Sequence, residues 1–341
     1  MGFISQARRF LLCWFSAVMC SAVVSLASVV SAQSCLSSGD LEDATRTAIT
    51  NAGQRYFDMS VKGDTASLRQ NAIASLSSDF SGIESTIKDH QSDLAGAQAT
   101  AKGVYLLETE GNAPMSRAEF DCGVFGKSGQ TAGSAVFILA NLPAGKYAVI
   151  LFEANSSKTK ENFSLVLQQQ GSDWKLGGLY ILPSQIASHN SEWFASRARE
   201  YKAKGQLHNA WLFYLEARSL ISPLPFMSTQ ASDKLYDESQ NAQPSDMPAD
   251  GKTVDLAAGN ATYKLTVLFP QAVGDDLDLI VKYQAADVSN TNQAYQSNVA
   301  VMKALVAKYP EYRDAFAGVV ARAVDPNGHD YGTLLAMKEI K

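Results

Sequence analysis

Apolar residues change their spacing repeatedly along this chain, and each change marks a new kind of element. Leu41, Ala44, Ala48, Ala52, Tyr56 and Met59 recur every three or four positions, which predicts helix within 40–71. Lys62-Gly63-Asp64 interrupts that stripe, and Asp64 is placed to cap the turn that follows. Phe80, Ile83, Ile87 and Leu94 share one face and predict a second helix at about 77–95. The pattern then becomes strand-like over 104–108, 134–141, 146–155, 163–169 and 174–182. Turns are expected at Leu142-Pro143-Ala144-Gly145 and Gly171-Ser172-Asp173. Helices followed by an antiparallel meander make an α+β layout.

Beyond residue 190 the helical period returns. Phe194, Ala198, Tyr201, Gly205, Ala210, Tyr214 and Ala217 predict a helix hairpin over 190–223, with small residues at the helix contact and Gly205 in the turn. Pro223 stops its second helix. A connector with three further prolines covers 224–251, including a short helix at Asp233–Ser239. Within 252–341, strands are expected at 261–269, 277–285, 316–324 and 333–340, around a helix at 291–308 carrying Tyr295, Val299, Met302, Leu305 and Val306 on one face. That gives a C-terminal ββαββ domain, and the whole chain reads as α+β.

Two resemblances follow from these residues. The order helix, Lys62-Gly63-Asp64, helix and then strands ending in Asp173-Trp174-Lys175-Leu176-Gly177-Gly178-Leu179-Tyr180-Ile181 resembles the nuclear-transport-factor-2-like domain over 36–183. It implies a cone-shaped packing of helices on an antiparallel sheet, an internal pocket for a small apolar ligand, and a sheet face that supports a homodimer. In some relatives the pocket holds an acid–base pair; here Tyr56, Asp58 and Asp79 are the residues nearest to where it would lie. The stronger reading of these three is Tyr56 in the core and the aspartates capping or facing water. The hairpin is similar to a tetratricopeptide unit. Because it occurs once, it should pack on an adjacent domain instead of building a solenoid.

The first 32 residues change the picture of where this protein works. Arg8-Arg9, the uncharged run that follows, and the small residues of Val30-Ser31-Ala32 make a signal peptide cleaved before Gln33. The expected address is the periplasm or the exterior, with membrane attachment only if the segment stays uncleaved. Loss of Arg8 and Arg9 takes the formal charge from −5 to −7, and an acidic chain without a basic run offers no footprint for nucleic acid. Cys13 and Cys20 leave with the signal, so Cys35 and Cys122 are expected to form one disulfide.

Little in the sequence carries chemistry. Ser85-Thr86-Ile87-Lys88 and Lys127-Ser128-Gly129 look like elements of penicillin-recognising serine enzymes, but stand too close together for that architecture. His90, His189, His208 and His329 are scattered and expected on the surface, so neither a metal nor another cofactor is expected. Trp211, Leu212, Phe213 and Tyr214 make one helix apolar all round, which means burial between domains or, for Trp211, a partner surface. The resulting expectation is a non-catalytic ligand-binding or scaffold protein of the cell envelope, its partner a small apolar molecule or an envelope protein. The alternative is a periplasmic isomerase, dehydratase or hydrolase using the cone pocket.

Overall fold

The computed structural model describes residues 33–341 except Asn112, Asp250 and Asp275, so the predicted signal peptide lies outside the described residues. In chain order the first elements are β1 (Gln33–Leu36), α1 (Asp43–Val61), α2 (Thr65–Gln70), α3 (Ala74–Ser78), α4 (Ser81–Leu94), β2 (Gln98–Thr109) and β3 (Met115–Cys122). A small ribbon of β4 (Phe125–Gly126) and β5 (Gly129–Gln130) precedes β6 (Ala135–Leu142), β7 (Gly145–Asn155), β8 (Lys160–Gln170) and β9 (Asp173–Pro183). A second ribbon, β10 (Gln185–Ile186) and β11 (His189–Asn190), leads into α5 (Ser191–Ala203) and α6 (Leu207–Ile221). Then come β12 (Met227–Thr229), α7 (Gln230–Gln240), β13 (Val254–Ala258), β14 (Ala261–Val273) and β15 (Asp276–Gln284). The chain finishes with α8 (Thr291–Lys308), β16 (Gly318–Val324) and β17 (Asp330–Ala336). It is an α+β protein.

The helix break at 62–64 forms as its residues dictate. Gly63 adopts φ +67, and the Asp64 carboxylate accepts the Ser67 N–H at 3.0 Å, starting α2. The five-stranded sheet β1-β2-β7-β8-β9 is antiparallel throughout. Its central strand β7 is buried from Tyr147 to Phe152 because both faces are covered. Ala148, Ile150 and Phe152 meet the helices, packing with Ile49, Phe57, Ile87 and Phe163. Tyr147, Val149 and Leu151 meet a second sheet, β12-β6-β3, whose core is Phe120, Phe137 and Leu224. Two covered faces turn an alternating pattern into a continuous apolar run.

The second sheet was only half legible. β3 was not predicted, although Ala118, Phe120 and Cys122 point inward and alternate with exposed Arg117, Glu119 and Asp121. The connector departs from a plain linker as well. Met227–Thr229 pair with Ala135–Phe137 to add β12, and Thr229 and Ser232 cap α7 reciprocally.

The predicted hairpin is formed by α5 and α6, and Gly205 turns it at φ +77. Phe194, Ala198, Tyr201, Ala210, Tyr214 and Ala217 are buried at its contact and share one core with the C-terminal sheet. In that sheet, β13-β14-β15-β16-β17, the only parallel pair is β15 with β16, joined through α8. β13 was not predicted. The final strand stops at Ala336, earlier than expected, because the Met337 N–H turns back to the Ala317 carbonyl at 2.7 Å. Arg313 then holds the carbonyls of Met337 and Ile340 at 3.0 and 2.7 Å. Among the described residues no helix is long and apolar enough to cross a membrane.

Candidate functional site

The three pocket residues suggested by the family resemblance do not come together. The Tyr56 hydroxyl is buried and shared between the carbonyls of Trp174 at 2.8 Å and Asn71 at 3.0 Å. Burial pushes its phenol upward, so at neutral pH it stays protonated and tied to backbone. Asp58 is exposed and accepts from Gln54 on its own helix, while Asp79 is exposed and accepts from Ser81. The space between helices and sheet is filled by Phe57, Phe152 and Phe163, with Phe57 and Phe163 in edge contact at 5.0 Å. The acid–base pair is therefore corrected: Tyr56 is tied to backbone, and the two aspartates bond to their own neighbours at the surface. Tyr56 is a fastener, and Tyr56→Phe should cost about 1–2 kcal/mol in urea unfolding by removing its bonds to the Trp174 and Asn71 carbonyls, of which Asn71 keeps the Leu176 N–H. An unchanged unfolding midpoint would show that the hydroxyl is dispensable.

For Trp211, burial holds over the alternative of a partner surface. It is only 8% exposed within the core shared by hairpin and C-terminal sheet, so it offers no partner surface. His208 is not a solvated surface histidine. Its Nδ1 meets Glu311 at 2.8 Å and its Nε2 meets Asp246 at 2.9 Å, which fastens the hairpin to the C-terminal unit. His189 stacks on Trp193 at 3.6 Å, and of the four only His329 is exposed, beside Asp325 at 3.0 Å. His90 lies with Asp93 and Glu161, a grouping of helix and strand residues that spacing along the chain conceals.

An open concavity forms instead beside α8. A groove of about 950 Å³ runs between β13 and that helix. One wall is Asp255–Gly259. The other is Ala300, Ala304 and Ala307, whose short side chains hold no bulk against the strand and keep the groove open. Leu256 points into the core at 2% exposure while Asp255 and Ala257 are exposed. β13 is the sheet's edge, paired among the described residues with β14 alone, so its outer backbone groups are placed to meet another chain.

The charge of the groove opposes that of the protein. The side chains of Lys303, Lys308, Arg313 and Lys341 line it, with one acidic side chain, Asp255, which already faces Lys264 at 3.1 Å. Arg313 is satisfied by neutral carbonyls, so its charge remains uncompensated. In a chain of formal charge −5, this is a local positive field beside an open strand edge. Sequence reading missed it because β13 was not recognised. The signal present was an Ala300-Ala304-Ala307 stripe with Lys303 and Lys308 beside it at helical spacing.

The predicted bridge between Cys35 and Cys122 is present, with Cα atoms 5.0 Å apart. It fits an oxidising, exported environment. No protein-family model, curated protein or solved structure matches this chain.

Proposed function

We propose that this is an exported, non-catalytic interaction protein of the cell envelope, and that it captures an extended, acidic segment of a partner protein in the groove beside α8. The observation that carries this reading is an unpaired strand edge facing four cations across an alanine-lined wall. A segment added to β13 would gain main-chain hydrogen bonds, while its carboxylates meet Lys303, Lys308, Arg313 and Lys341. The signal peptide, cleaved before Gln33, and the Cys35–Cys122 bridge support a place in the periplasm or outside the cell. The nuclear-transport-factor-2-like layout would then serve as a filled scaffold, its cone closed by Phe57, Phe152 and Phe163.

The test is selection of ligands from a displayed peptide library by the chain 33–341. Acidic sequences with alternating apolar residues should be enriched, and their affinity should fall with rising salt. The double variant Lys303→Glu/Lys308→Glu should weaken them roughly tenfold or more. Enrichment without acidic bias, or equal binding by the charge-reversed variant, would overturn the assignment.

A further inference from the structure

A cluster on the opposite side of the N-terminal sheet from its companion sheet has the composition of a metal site. His90 and Asp93 stand three residues apart near the end of α4, a spacing that puts both on one helix face. Glu161 enters from the start of β8. One imidazole nitrogen and one oxygen from each carboxylate all lie within 4.8 Å of one another. The loop before β8 is fastened to the same helix end, since the Thr159 hydroxyl donates to the Asp93 carbonyl at 3.4 Å.

Hydrogen bonding leaves this cluster incomplete. His90 Nδ1 and Glu161 Oε2 are both buried without a partner among the described residues. Glu161 is only 5% exposed. A buried polar atom left unpaired costs about 1–3 kcal/mol, and more when charged. Neither Asp93 nor Glu161 forms an ion pair with a lysine or arginine among the described residues, whose other glutamates nearby do find lysines. Two carboxylates and an imidazole, crowded without a counter-charge, are short of one group: a cation. The carbonyl end of α4 adds a partial negative charge in the same place.

We propose that His90, Asp93 and Glu161 bind one divalent transition-metal cation of the zinc class. One nitrogen and two oxygen donors suit zinc or manganese; calcium and magnesium prefer all-oxygen sets, and copper(I) prefers sulfur. Tetrahedral ligands around such an ion stand roughly 3.4 Å apart, so small side-chain rotations would draw these atoms together. Three protein ligands leave a fourth position for water or an incoming ligand. The ion would pin the end of α4 to β8. This site is separate from the groove beside α8, and either assignment can fail without the other.

The experiment uses chain 33–341 stripped with a chelator and titrated with zinc, manganese and calcium chlorides by calorimetry and thermal unfolding. One zinc per chain should bind and raise the unfolding temperature, with calcium much weaker. Glu161→Gln and His90→Gln should each lower zinc affinity at least roughly tenfold. The glutamine at 161 removes a buried charge, so that variant should fold at least as well without metal while losing the gain on adding it. His329→Ala, a change at the exposed histidine, should bind zinc as the parent does. A cobalt-loaded sample should show visible absorption bands that vanish in both ligand variants. Absence of zinc binding by the parent chain, or binding unchanged in Glu161→Gln and His90→Gln, would overturn the proposal.

Discussion

Replacing Cys35 and Cys122 together by alanine should cost the folded chain about 4–5 kcal/mol. The bridge closes a loop spanning 87 positions, and in the chain-entropy account a crosslink of that length restricts the unfolded ensemble by about that amount. This is a large share of the roughly 5–15 kcal/mol that usually separates folded from unfolded protein. In a chain of this size it should lower the unfolding temperature by about 7 °C. The loss should also have a place. β1 is a four-residue edge strand that pairs only with β2, and Gln33 Oε1 adds a bond from the Glu119 N–H at 2.6 Å. Without the bridge to β3, Gln33–Leu36 should exchange their amide hydrogens faster, while β7 and β8 stay protected. Uniform loss of protection across the sheet would mean that the bridge serves global folding, not the seating of β1. An unchanged unfolding temperature would show that the loop is already restricted in the unfolded chain. Mass mapping without reductant should recover Cys35 and Cys122 in one linked pair of peptides.

The second large effect should come from Glu216. It lies on α6 at 8% exposure, pairs with no cation among the described residues, and burial pushes its carboxyl from 4.5 up to about 7. Between those values the folded chain holds a proton that the unfolded chain releases, so stability falls as pH rises. The contribution is intact below the unfolded value and lost by the time pH has passed through the folded one. Over the full window the loss is about 3 kcal/mol. Glu216→Gln should therefore stabilise the chain by about that much at pH 8, raising the unfolding temperature by about 4–5 °C. Near pH 5 the gain should be much smaller. Urea unfolding of both chains at several pH values reads the difference directly. Parallel pH profiles for parent and variant would show that Glu216 ionises freely in the folded chain.

How far the fold could be read from the chain varied with how many faces each element buries. α1, α5, α6 and α8 each carry a stripe at helical period, and their existence and type followed from it. β3 shows why some elements were missed. Its inward residues include a small alanine and a half-bridged cysteine, so the run Met115–Cys122 is too polar to stand out, yet its alternation is regular. β13 is five residues long and partnered on one side only, which demands even less of its sequence. Tyr56 was placed in the core correctly, but its backbone partners Asn71 and Trp174 could not be foreseen. Nothing in the spacing of Phe57, Phe152 and Phe163 announces that three rings from α1, β7 and β8 converge on one place.

The sequence by itself determined the α+β class, the break at Gly63-Asp64, the turn at Gly205 and the partnership of Cys35 with Cys122. Each depends on local backbone preference, on residue periodicity or on a count that leaves one pairing. Tertiary structure alone decided the rest. It packed three phenylalanine rings between helices and sheet, buried Trp211 in a shared core, set four cations beside an open strand edge, and brought Glu161 to His90 and Asp93 across some 70 residues of chain. Those arrangements depend on which distant surfaces pack together, and side-chain volume and charge act there only after the chain has folded back on itself.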